Sequence, residues 1–133
     1  MKRIVQLTVI LLAFLPAISF AQEKKTTWPE LKKFHSFMAA TFHPAEEGKF
    51  APLKQKADSL FEAARTWQRS AIPEDFKAEE TKEALKKLVI KCAAVKKAVE
   101  AKSSDEVLKK LITEAHEIFH QIVEKCHGPD TEK

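Results

Sequence analysis

Four stretches of this chain carry apolar or small residues at alternating steps of three and four, and none of it alternates at a step of two. The first period matches the buried stripe of an α-helix and the second would match a strand, so the chain is confined to helices packed on helices. Glycine occurs only twice, tyrosine is absent, and Ala, Lys, Glu and Leu dominate. The expected fold class is therefore all-α, an antiparallel up-down-up-down four-helix bundle with short connections, in which the first and last helices are neighbours.

The first helix starts at Thr27-Trp28-Pro29-Glu30, with Thr27 as cap, Pro29 in the first turn and Glu30 completing a capping box. Its expected seam is Trp28, Leu31, His35, Met38 and Phe42, with Phe34 and Phe37 off the seam. His43-Pro44-Ala45-Glu46-Glu47-Gly48 reads as a tight corner that Pro44 opens and Gly48 ends with positive φ. The second helix begins near Pro52 and uses Leu53, Ala57, Leu60, Ala64 and Trp67. The third runs from about Ala78 to Ala101 on Thr81, Leu85, Leu88, Cys92, Val95 and Val99. Ser103-Ser104-Asp105-Glu106 caps the fourth, which uses Leu108, Leu111, Ala115, Ile118, Ile122 and Cys126 and stops at Gly128-Pro129.

Ahead of these helices, Lys2 and Arg3 precede an apolar run from Ile4 to Leu15, then Pro16, with Ser19 and Ala21 as small residues at a cleavage site. This pattern predicts a secretory signal peptide over residues 1–21 and a bundle domain over 22–133. The run falls short of the roughly 20 residues a membrane span needs, and no cysteine follows it to carry a lipid. A soluble protein of the periplasm or the extracellular space, with no membrane anchor after cleavage, is the expectation. The formal net charge of +4 includes Lys2 and Arg3, and the remaining lysines alternate with glutamates instead of clustering. That is the pattern of solvated helix faces and gives no footing for nucleic acid.

Export would expose the two cysteines, Cys92 and Cys126, to oxidising conditions. In an antiparallel hairpin turning near Lys102, Cys92 lies level with Thr113. Cys126 is then roughly 20 Å further along the axis at about 1.5 Å per residue, whereas a bridge needs Cα atoms within about 7 Å. No intramolecular disulfide is predicted.

The chemistry concentrates between Thr113 and Gly128, where three of the five histidines stand. His116-Glu117-Ile118-Phe119-His120 has the letters of the HExxH zinc-protease motif, in which two helical histidines hold a metal and the glutamate activates water. A peptidase also needs a third ligand and a strand to bind extended substrate, and no strand is predicted, so only the i,i+4 histidine geometry is retained. Glu117-x-x-His120 is half of a di-iron pattern whose second half is missing. Counted from Trp28 on the first helix and Cys126 on the last, His35 stands level with His120, and Met38 with His116. His35, Met38, His116 and His120 are thus the first candidate metal ligands. Nitrogen and thioether donors suit copper, zinc or nickel, or haem iron, and do not suit calcium or magnesium. His43 with Glu47 is a possible additional metal site at the upper corner, beside Glu46. The plain alternative is structural: His35 as a core histidine, Met38 and Cys92 as core filling, and His120 facing water.

An exported bundle with methionine and histidine on the first helix and histidine on the last resembles the b-type bundle cytochromes, which hold haem between a first-helix methionine and a last-helix histidine. Val123-Glu124-Lys125-Cys126-His127 is similar to the CxxCH of cytochrome c-prime, with Val123 where the first cysteine would stand. The stretches FHSFMAATFHPAEEG and HEIFHQIVEKC also resemble a group of small exported bacterial bundles with no assigned activity. The cytochrome resemblance implies haem as cofactor, with Met38 or His35 and His116 or His120 as axial ligands, and Cys126 with His127 as an attachment point.

The functional expectation is a periplasmic bundle that binds a transition metal without catalysing a reaction. A haem-binding electron carrier is the first alternative, with Ala57, Ala64 and Ala115 leaving room for a porphyrin. A ligand-free adaptor or chaperone-like bundle is the second, motivated by Phe34 and Phe37 off the seam.

Overall fold

The structure is a computed structural model that describes residues 27–126. The expected signal peptide over 1–21, His127 and the expected Gly128-Pro129 stop lie outside the described residues. The described chain is an all-α four-helix bundle: α1 (Pro29–Glu46), α2 (Ala51–Arg69), α3 (Ala78–Glu100) and α4 (Asp105–Lys125). Each helix packs along its successor, and α4 returns to α1 to close the ring, but the α1–α4 seam is much sparser than the other three. No helix among the described residues is long and apolar enough to cross a membrane.

Proline and serine set the helix starts. Pro29 begins α1 after Trp28, whose extended backbone takes the cap position without a side-chain cap bond, in place of the expected Thr27 cap. Ser104 caps α4, its Oγ accepting from the Val107 amide at 3.3 Å. The corner after α1 differs from expectation. The helix runs through Pro44 and ends two residues later at Glu46, although a proline there contributes no amide hydrogen to the helical ladder. The end is then closed by the Gly48 amide on the Ala45 carbonyl at 3.0 Å and the Lys49 amide on the Pro44 carbonyl at 2.8 Å. Gly48 makes this reversal at φ 81°, in the left-handed region that glycine enters without a Cβ clash.

The core has an aromatic lower end. Trp28 stands edge-on to Trp67 at 5.5 Å and to Phe76 at 5.0 Å, and its indole N–H donates to Ser70 Oγ at 2.8 Å. Phe34 packs on Trp67 at 5.3 Å and on Phe119 at 5.8 Å. The rest of the core is mainly aliphatic, with Leu53, Leu60, Leu85, Leu88, Val95, Leu108 and Ile112 fully enclosed and Phe42 and Phe50 buried toward the other end. Each such side chain contributes roughly 1.5–3 kcal/mol of burial.

Three seams differ from the sequence expectation by one residue, on α3 only in the last turn, where Ala98 is buried and Val99 half-buried. On α1 the buried stripe passes through Phe34, Met38, Thr41, Phe42 and Ala45, so Phe34 is core and His35 is exposed. On α4 it passes through Leu108, Ile112, Ala115, Phe119 and Ile122, leaving Leu111 and Ile118 half-buried. On α1 the choice sets Phe34 against His35, and on α4 it sets Phe119 against the smaller Ile118. An apolar stripe spans two adjacent positions at several turns, and the helix rotates to bury the residue whose burial gains most. A phenylalanine wins over a histidine that would surrender its hydration. This removes Phe34 as an argument for an adaptor surface.

Candidate histidine site

The rotation that buries Phe34 and Phe119 turns all four described histidines onto the α1–α4 seam. His116 and His120 are one turn apart on α4, and their Nε2 atoms face each other at 3.1 Å. His43, on the last turn of α1, holds its ring 6.5 Å from that of His116. His35, two turns below His43, lies parallel on Phe119 at 5.2 Å and 6°. Met38 is fully buried in the core stripe. The residue stacked on His116 is Phe42, with ring centres 3.8 Å apart and 11° between planes. The register thus sets His116 one turn above the height of Met38.

Two phenylalanines fix the imidazoles. Phe42 covers one face of His116, while Phe119 lies 6.5 Å from His116 and 5.8 Å from His120. Burial, reinforced by the neighbouring His120 and His43, holds the His116 imidazole below the usual histidine pKa. Its neutral form, the one that ligates metals, therefore persists to lower pH.

Carboxylates orient the outer rings. His120 Nδ1 lies 3.1 Å from Glu124 Oε1, and His43 Nδ1 lies 3.4 Å from Glu46 Oε2. A carboxylate accepts only, so each Nδ1 donates to it, and in the neutral imidazole this tautomer leaves the lone pair on Nε2. In the His116–His120 contact, His116 Nε2–H then donates to His120 Nε2. Replacing that proton by a metal ion would leave both nitrogens aimed at one point. For nitrogens about 2.0–2.1 Å from a metal, a separation of 3.1 Å corresponds to an angle of about 98°, between a square plane at roughly 90° and a tetrahedron at roughly 109°. The Glu124–His120 pairing has the form of the carboxylate–histidine partnership that orients metal ligands.

Among the described residues no three His, Cys, Asp or Glu side chains are already gathered as a ligand set. Glu47 pairs with Lys49 at 3.2 Å, and Glu46 is the carboxylate that meets His43. Cys126 and Cys92 are separate buried thiols. Burial pushes the Cys92 thiol up to about 12, and it raises Cys126 against an opposing effect of the Thr81 hydroxyl. Ala57, Ala64 and Ala115 are all enclosed in the same core as the Trp28, Phe34, Trp67 and Phe119 rings.

A wide groove between α3 and α4, bordered by Glu79, Glu80, Glu83, Gln121, Lys125 and Cys126, contains no histidine. Its rim is solvated charge, and the ordered donor atoms lie on the opposite flank of α4. The spacing of His116 and His120 was legible in the sequence. The contributions of Phe42 and Phe119 were not, although two aromatics each next to a histidine (Phe42-His43 and Phe119-His120) were the available signal. No protein-family model, curated protein or solved structure matches this chain.

Proposed function

We propose that this protein is an exported four-helix bundle that binds one transition-metal ion, copper(II), zinc or nickel, on the outer flank of the α1–α4 seam. His116 and His120 are its primary ligands. The observation that carries this reading is the convergence of their two Nε2 atoms at 3.1 Å, with Glu124 on the far nitrogen of His120. Export rests on the leader pattern of residues 1–21. The role we assign to the site is holding or delivering the ion, since His120 stands exposed on the outside of α4.

The test is metal analysis and zinc titration of untagged protein. Wild type is expected to retain one ion per chain, and His116→Ala/His120→Ala to lose it while keeping its helical circular dichroism. Unchanged zinc affinity in the double variant would refute the assignment.

A further inference from the structure

The two α4 imidazoles leave an ion short of ligands, and α1 presents one more on the same flank. We infer that His43 is the third ligand, so that the bound ion bridges α1 and α4 and pins the bundle's sparsest seam. This inference rests on the metal-binding reading above.

Three observations support it. His43 is already oriented as a ligand would be, with Nδ1 facing Glu46 at 3.4 Å and no hydrogen-bond partner on Nε2 among the described residues. Its ring centre is 6.5 Å from that of His116, while His116 and His120 are 4.4 Å apart. Imidazoles that share an ion through nitrogens about 2.0–2.1 Å away have ring centres roughly 5 Å apart. His43 therefore needs to close by only about 1.5 Å, and a side chain 65% exposed can do so by rotating over its own backbone. Finally, Phe42 precedes His43 and stacks on His116, so the backbone that carries His43 is anchored to the partner helix at the level of the site. Three imidazoles leave a coordination position facing solvent, the arrangement of a site that can pass its ion to, or accept one from, another donor.

The experiment compares wild type, His43→Ala and His116→Ala/His120→Ala, with zinc titrations for affinity and copper(II) electron paramagnetic resonance for the number of coordinated imidazoles. The inference expects three nitrogens in wild type and two in His43→Ala. It also expects at least a tenfold loss of zinc affinity, beyond the tenfold minimum of losing an outer partner. The zinc-induced rise in Tm should shrink in His43→Ala, while the metal-free Tm changes little because His43 is exposed. If His43→Ala keeps wild-type affinity and nitrogen count while the double variant loses binding, His43 is not a ligand and the α4 pair stands alone. If the double variant binds like wild type, the metal-binding reading itself fails.

Discussion

Phe119 joins the core to the histidines, and replacing it tests both at once. Its ring is only 5% exposed and meets Phe34 at 5.8 Å, Trp67 at 6.0 Å and the His35 ring at 5.2 Å. Truncating a buried phenylalanine to alanine costs about 3–5 kcal/mol. The lower end applies here, because Phe119 borders the α1–α4 seam, where neighbours have room to collapse into the gap. We expect Phe119→Ala to lose about 3 kcal/mol by urea denaturation of metal-free protein, and about 12–24 °C in Tm at roughly 4–8 °C per kcal/mol for a domain of this size. Ile122→Ala provides the control, since Ile122 is fully buried on the same helix and should lose a comparable amount. Zinc affinity should separate them, with Phe119→Ala binding more weakly and Ile122→Ala like wild type. A loss below about 1 kcal/mol would contradict the packing described for Phe119. Equal affinity losses in the two variants would show that the ring does not position the imidazoles.

Other expectations are independent of that ring. Glu124→Ala, which removes the acceptor on His120 Nδ1 at 3.1 Å, should weaken zinc binding about 10–100-fold in titrations without changing the metal-free fold. Cys92, enclosed and with its thiol pushed up to about 12, should resist alkylation at pH 8 until the protein unfolds, as read by mass spectrometry. Lys91 donates to Glu114 at 2.6 Å and, with a smaller contribution from Lys110, holds that carboxyl below the usual range. The linked stability is complete above the unfolded-state value of about 4.3 and is lost as pH falls through the lowered folded value. Lys91→Met should therefore flatten the loss of stability over that acid window in urea titrations, and an unchanged profile would remove the ion pair from the account.

The helices were legible because their period, their prolines and Ser104 are local properties. Pro29, Ala78 and Asp105 begin helices at or next to the positions the sequence indicated. The rotation of α1 and α4 about their own axes was less legible, since Phe34 and His35, or Ile118 and Phe119, both satisfy a three-and-four rhythm. On α1 the competition between burying a ring and dehydrating an imidazole decides, and on α4, where both candidates are apolar, the fit against the neighbouring helices decides. The candidate site was legible to the same extent. The i,i+4 spacing of His116 and His120 is intrahelical and readable, whereas the Phe42 stack and the approach of His43 depend on how far α1 slides past α4. That slide is set by the fit of side chains from two helices that the connections do not hold in register.

The sparse α1–α4 seam has a dynamic consequence. α2 and α3 are each gripped along both flanks, so the first and last helices are the elements that can swing outward at least cost in broken contacts. Amide exchange should accordingly be fastest on the facing sides of α1 and α4 and slowest in α2 and α3. A ligand that grips only the closed arrangement would slow the outer pair selectively. The rate at which the bundle breathes would then set how quickly such a ligand is taken up and surrendered.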